Sequence, residues 1–213
     1  MKNKYKLFLL LVILFFSLPT LAACPDMGKP KSDIRFKYGT LHYITNKSSK
    51  DFPDKPYSST MGLTTANLSR KMSPTFKIQP TEQNSYCVLL DTLTVEIGYK
   101  NIDIYIDKKY KPGTCNYKVI KEHENYHARV NQEGLKFFSP KIKKAYQIAL
   151  NKIKPVEVYS NEESKQVTAQ MMQQIEKEVQ PLLDYVQKKI IEENLLIDTD
   201  SSYEAESKRC PKW

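Results

Sequence analysis

The residues best suited to chemistry lie in one short stretch, HENYH at positions 123–127. The stretch holds two of the chain's three histidines, with Glu124 directly after the first. Side chains four residues apart on a helix lie on the same face, about 5–6 Å apart, so His123 and His127 can share one ion. Zinc favours imidazole ligands, and the HExxH pattern assigns the histidines as ligands and the glutamate as general base. The spacing therefore predicts one zinc ion per chain and hydrolysis by zinc-activated water.

A catalytic zinc site needs a third protein ligand, and the sequence offers several. Glu133 lies ten residues after His123, where HExxHxxGxxH proteins have their third ligand, but Val130 stands where those proteins have a glycine. A continuous helix would carry Glu133 to another face, about 9 Å beyond His127. Further candidates lie on later helices or earlier in the chain: Glu157, Glu162, Glu163 and His42.

The first 23 residues predict an export signal. Three lysines precede the apolar run LFLLLVILFF, and SLPTLAA then supplies a helix breaker and small residues. The run is shorter than the ~20 residues that a transmembrane helix needs. Cleavage after Ala22 would release a periplasmic or secreted protein. Alternatively, LAAC at 21–24 resembles a lipobox, and Cys24 would then carry a lipid that anchors the protein in the cell envelope.

The four cysteines, Cys24, Cys87, Cys115 and Cys210, predict two disulfides in an oxidising compartment. Lipidation of Cys24 would leave one of the other three without a partner. Cys24 and Cys210 lie at the two ends of the exported chain, and each is followed by proline. We therefore expect the pairs Cys24–Cys210 and Cys87–Cys115.

The formal charge of +9 falls to +6 without the three lysines of the signal, because residues 1–23 contain no acidic side chain. The remaining lysines are spread along the chain, whereas nucleic-acid binding requires basic residues clustered with aromatic ones. We expect no nucleic-acid partner. A basic surface of this kind would suit contact with anionic lipid or the cell wall.

The hydrophobic pattern predicts an α+β fold in one domain over residues 24–213, with an N-terminal antiparallel β region, then the HExxH helix and further helices. Residues 34–44 predict a strand or hairpin, and 87–107 predict an antiparallel hairpin that turns at Lys100–Asn101. Ile102, Ile104 and Ile106 alternate strictly, which is typical of a half-buried strand. As an alternative, this strand could form the sheet edge that pairs with a substrate backbone.

Helices are predicted for the second half of the chain. Residues 116–138 form the helix with the histidines, and Ser139–Pro140 predicts the start of a new helix. Ser160 and Glu163 form a capping box that opens a long helix, whose apolar stripe we interpret as core packing. Its members are Val167, Met171, Ile175, Val179, Leu182, Val186 and Ile190.

The region 87–210 resembles a family of bacterial secreted proteins predicted to be zinc-dependent proteases, often filed as domain of unknown function 922. The resemblance rests on C115-NYKVI-120, on HENYH, on two further helices, and on an ending of the form Asn-x-x-aromatic-Asp-x-x-Thr-x-His-Gly, here N194-LLIDTDSSYE-204. It implies a zincin-like fold and a peptide or protein substrate. Tyr203 stands where the family has histidine, so Asp198 becomes the preferred third ligand, with Tyr203 beside it in an outer-shell or oxyanion role.

Two other functions use the same residues. A non-catalytic envelope protein would hold a structural or vestigial zinc, and a cell-wall amidase would use the same ligands and base. Glu124 favours catalysis, because a purely structural site has no use for a base.

Overall fold

The fold is α+β as predicted, with three long strands before the helices and one short strand between the two long helices. The computed structural model describes residues 24–53 and 60–213, so the predicted signal peptide lies outside the described residues. The elements are β1 (Lys31–Ile44), a 3-10 turn (Ser49–Asp51), β2 (Gly62–Pro80), β3 (Tyr86–Ile106), α1 (Cys115–Asn151), β4 (Val156–Val158), α2 (Asn161–Leu195) and α3 (Asp200–Ser207).

The sheet is mixed, so the prediction of an antiparallel β region is wrong for β1, and the central strand is β3. The strand order is β1-β3-β2, with β1 parallel and β2 antiparallel to β3, and β4 pairs with the start of β3. Residues 102–105 are thus paired on both sides, with Leu41 opposite Ile102 in β1 and Leu63 opposite Tyr105 in β2. The alternative of a substrate-binding edge at 102–106 is therefore wrong. Among the described strands, β2 forms the edge on that side of the sheet.

The predicted hairpin at 87–107 is also wrong, because β3 is one strand of 21 residues. Leu68 lies opposite Tyr99 and Ala66 opposite Ile102, so Lys100 and Asn101 together face the single residue Asn67. This is a β-bulge, which adds one residue to a strand and reverses the side-chain alternation. Tyr99 and Ile102 consequently both face the core, although their numbers differ by three.

Helix α1 does not break at Ser139–Pro140 but continues through both residues, and its total length is 37 residues. Proline lacks the N–H that would bond to the carbonyl four residues earlier, here Lys136. The Ser139 hydroxyl donates to that carbonyl at 2.8 Å and replaces the missing bond. Phe138 and Ile142 also keep the buried stripe unbroken across the proline.

Helix α2 packs antiparallel on α1 and begins at the predicted capping box. Ser160 Oγ accepts from the Glu163 backbone N–H, and the Glu163 carboxylate accepts from the N–H of Tyr159. The predicted stripe of α2 packs in the core. Near its end, α2 lies so close to α1 that a Cβ on Gly134 would approach Ile190 within 2.8 Å. The antiparallel pair of α1 and α2 therefore brings the chain back to the HENYH segment.

Two disulfides form, but their pairing differs from the expectation. Cys24 bonds to Cys87 and Cys115 bonds to Cys210. The antiparallel return of α2 brings the C-terminal segment back to the start of α1, where Cys115 lies, rather than to the N-terminus. Both disulfides fit an oxidising, exported environment. The Cys24 sulfur that lipidation would need is part of a disulfide.

Within residues 24–53 and 60–213, no helix combines the length and apolar character needed to span a bilayer.

Candidate metal centre

Three side chains from two distant parts of the chain converge on one point. The Nε2 atoms of His123 and His127 lie 3.1 Å apart, and Asp198 Oδ1 lies 3.0 and 3.2 Å from them. The histidines come from consecutive turns of α1, and Asp198 lies in the segment between α2 and α3. The structure thus brings Asp198 to both histidines, as preferred from the sequence.

The outer nitrogens of the two rings are held by acceptors. His123 Nδ1 donates to Glu206 Oε1 at 2.9 Å, and His127 Nδ1 donates to Asn194 Oδ1 at 2.9 Å. The Asn194 amide nitrogen donates to the Ile190 carbonyl, which leaves its oxygen to accept. Because both Nδ1 atoms must carry a proton, neutral rings present lone pairs at Nε2. Partners of this kind fix the tautomer of metal-binding histidines.

The donor set fits a metal ion. Two Nε2 atoms and a carboxylate oxygen meet at 3.0–3.2 Å, and with both rings neutral these three acceptors could hold a cation between them; without an ion, a proton on Nε2 bonds to Asp198 instead. Ligand atoms about 2.0–2.1 Å from a tetrahedral zinc ion lie roughly 3.3 Å apart, close to the spacing observed here. Of the acidic, histidine and cysteine residues in the described part of the chain, His123, His127 and Asp198 form a group that could hold an ion.

The position of Asp198 follows from how α2 ends. The helix stops at Leu195, and Thr199 caps α3 by accepting from the Ser202 N–H, so Asp198 lies in the short turn between them. The Tyr203 hydroxyl donates to Asp198 Oδ1 at 2.6 Å, and its ring stacks on His123 with a centroid distance of 5.4 Å. Tyr203 therefore orients the carboxylate and covers one face of a histidine.

Glu124 is buried beside the ligands and is held by β2. The Thr64 hydroxyl lies 2.8 Å from Glu124 Oε2 and 2.9 Å from the Glu124 carbonyl. Gly62 lies against the same side chain, since a Cβ at this position would come within 2.5 Å of Glu124 Oε1. The base that the sequence predicted thus contacts the edge strand of the sheet.

The charges of the site are strongly coupled. Burial opposes protonation of His123, but Asp198, Glu124 and Glu206 outweigh it and raise its pKa to about 9. Burial likewise lowers the pKa of His127, but Asp198 and Glu124 outweigh this effect, so the pKa is raised. Burial favours a neutral Asp198, yet its hydrogen bonds to both histidines and Tyr203 hold its pKa far below the usual range.

The carboxyl of Glu124 behaves differently from that of Asp198. Burial raises the pKa of Glu124, and the two histidines and Thr64 only partly counter it. The two carboxyl groups therefore have opposite tendencies: the pKa of Asp198 is lowered, which keeps it ionised, and the pKa of Glu124 is raised, which increases the proton affinity of its carboxylate and suits a proton acceptor.

A cleft of about 780 Å³ opens onto these groups. Its walls include the edge strand β2, the end of α2 and the residues of the metal centre, and many of them are apolar: Met61, Leu63, Ile120, Ile191, Leu195 and Trp213. The histidine side chains are 6 % and 10 % exposed, and that of Asp198 is 31 % exposed. The site is therefore reached from solvent through the Asp198 side.

The other candidate ligands lie elsewhere. Glu133 is exposed and pairs with Lys136, as expected for another face of α1. Glu157 accepts from Ser85, and Glu162 pairs with Lys165. Two further candidates are accounted for as well, Glu163 in its cap and His42 beside Asp103 on the sheet.

The roles of four residues around the site were not predicted. Asn194 and Glu206 contact the histidines, and Thr64 and Gly62 contact Glu124. Asn194 opens the ending that carried the resemblance, which was the one available signal. Thr64 and Gly62 lie in residues 61–72, whose hydrophobic pattern is compatible with either a helix or a strand.

The chain matches no family model, no curated protein and no solved structure, so the site is interpreted from its own geometry.

Proposed function

We propose that the chain is an exported zinc-dependent metallopeptidase with a zincin-like fold. The observation that carries the proposal is the meeting of His123, His127 and Asp198 in a cleft that also holds the buried Glu124. Structural zinc sites are closed by four protein ligands, whereas catalytic sites have three and an open position. Three ligands beside an open cleft support a catalytic site over a structural one.

The division of roles follows from the contacts. His123, His127 and Asp198 would hold the ion, and Glu206, Asn194 and Tyr203 would orient them. Bound there, zinc would polarise a carbonyl oxygen and lower the pKa of a water towards ~7. Glu124 would take the proton of the attacking water and transfer it to the leaving nitrogen, since its carboxylate faces the same cleft.

The edge strand supports a peptide substrate. Residues 62–66 of β2 border the cleft, and an unpaired strand edge can bond to an extended backbone. A strand edge that lies beside an HExxH helix is also typical of the zincin-like fold that the resemblance implies. An amide of the cell wall would offer less backbone for such pairing.

The test combines metal analysis and peptide cleavage on wild type, Glu124→Gln and His127→Ala. We expect about one zinc per chain in wild type and in Glu124→Gln, with cleavage of a peptide library by wild type alone. His127→Ala should lose both the metal and the activity. Purified wild-type protein that takes up no zinc would contradict the metal site, and equal cleavage by Glu124→Gln would contradict the assigned base.

A further inference from the structure

We propose that Thr64 is a positioning residue that holds the Glu124 carboxylate in one orientation, with Gly62 providing the space for it. The inference rests on the proposed function for its catalytic consequence, but not for the contact itself. It assigns a role to two residues of β2 that no pattern in the sequence marked.

Thr64 contacts both the side chain and the backbone of Glu124. The Thr64 hydroxyl lies 2.8 Å from Oε2 and 2.9 Å from the backbone carbonyl of the same residue, so one hydroxyl reaches both ends of Glu124. Oε2 is thereby occupied, and Oε1 is left as the oxygen that can accept a proton in the cleft. A hydrogen bond to a buried carboxylate is stronger than one between neutral groups, which suits Thr64 to fix a charged base.

Gly62 completes the arrangement from the other side. A Cβ at this position would lie 2.5 Å from Glu124 Oε1, 2.7 Å from Ile120 Cγ2 and 2.8 Å from Glu124 Cγ. Contacts this short would force the carboxylate or the strand to move. The absence of a side chain at Gly62 therefore allows Oε1 to lie against the edge strand.

The arrangement couples the base to the strand edge. Gly62 and Thr64 flank Leu63 in the part of β2 that borders the cleft. A substrate backbone aligned on this edge would be positioned by the same strand that positions Glu124. Misplacing a reacting group by about 1 Å can cost on the order of 100-fold in rate, so a fixed relation between base and strand matters for turnover.

The activity test compares three variants of β2. Thr64→Val keeps the shape and removes the hydroxyl, Thr64→Ser keeps the hydroxyl, and Thr75→Val is the matched control, because the Thr75 hydroxyl only approaches a backbone carbonyl far from the site. We expect Thr64→Val to lower kcat by roughly 10- to 100-fold with little change in KM or zinc content. Thr64→Ser and Thr75→Val should stay within about threefold of wild type.

A thermal test on metal-free protein gives a readout independent of activity. Thr64→Val should lower the Tm by several degrees in wild type and by clearly less in a Glu124→Ala background. The reason is that Glu124→Ala has already removed the hydrogen bond between Thr64 and the Glu124 carboxylate. Thr75→Val should give the same small shift in both backgrounds. Equal Tm shifts for Thr64→Val in both backgrounds would overturn the inference.

The two tests separate this inference from the proposed function. Unchanged kcat in Thr64→Val, or failure of Thr64→Ser to restore it, would overturn the positioning role while leaving the peptidase standing. If wild type cleaves no peptide, the peptidase proposal fails, and the thermal comparison alone then supports or overturns the positioning of Glu124 by Thr64.

Discussion

Removal of the Cys115–Cys210 disulfide should release the segment that supplies the third ligand. Asp198, Tyr203 and Glu206 lie between the end of α2 and Cys210, and Asn194 lies in the last turn of α2. No residue of α3 is buried, so this segment contributes little to the core. Its far end is held by the disulfide, with polar contacts such as Asn116 to the Lys212 carbonyl beside it.

The second disulfide provides the control, because its predicted effect on stability is nearly the same. The pairs enclose 95 and 63 residues. Loop-closure entropy gives about 4.7 kcal/mol for Cys115–Cys210 and about 4.3 kcal/mol for Cys24–Cys87. The double variants Cys115→Ser/Cys210→Ser and Cys24→Ser/Cys87→Ser should therefore lose similar free energies of unfolding, but only the first loosens the metal site.

The assay measures zinc affinity by competition with a chromophoric chelator, on variants shown to be folded by circular dichroism. We expect the Cys115/Cys210 variant to bind zinc at least roughly 10–100-fold more weakly, the loss typical when the partners of metal ligands are removed. The Cys24/Cys87 variant should stay within about threefold of wild type. Trp213, the only tryptophan, packs near Tyr110 and should become more accessible to acrylamide in the first variant alone. Equal loss of zinc affinity in both variants, or in neither, would refute the reasoning.

Two further predictions concern the ligands. Removing a residue that only orients a metal ligand weakens binding by roughly 10–100-fold, and Asp198→Ala should weaken zinc binding by more than that. Glu133→Ala should leave zinc affinity unchanged. The reverse result would make Glu133 the third ligand. The pKa of His123 is about 9 in the folded protein and about 6.5 in the unfolded chain. Protonation of His123 therefore stabilises the metal-free protein fully below pH ~6.5, and this stabilisation is lost as the pH rises through 9. The Tm of metal-free protein should therefore fall across that window, and zinc uptake at pH 7 should release protons to an indicator dye; a rising Tm would contradict the ion pairs.

The local part of the site could be predicted from the sequence, because one turn of helix fixes it. His123 and His127 lie on one face of α1, with Glu124 next to that face, wherever this helix forms. Asp198 could be named as a candidate, but it reaches His127 across 71 residues of sequence. That approach depends on the lengths of α1 and α2 and on where α2 stops, which no local pattern specifies.

The errors in the fold have the same origin. Lys100–Asn101 has the composition of a tight turn, yet in this sheet it forms a bulge, since both flanking segments find partners in β1 and β2. Ser139–Pro140 has the composition of a helix start, yet the serine hydroxyl repairs the bond that the proline removes. In each case the local signal was real, and tertiary packing determined which of its two structural outcomes formed.

Tyr203 stands where the pattern that the sequence resembles has a histidine, and the proposed third ligand lies elsewhere. A histidine at this position would offer a neutral nitrogen, and with His123 and His127 it would leave the full +2 charge of a zinc ion. Asp198 offers instead a carboxylate whose pKa is held low, so a zinc ion bound there would leave the centre with a charge of +1. The tyrosine hydroxyl donates to that carboxylate and its ring stacks on His123. In the proposed centre, Tyr203 would thus orient the residue that binds the ion, and three ligands would be kept without a third histidine.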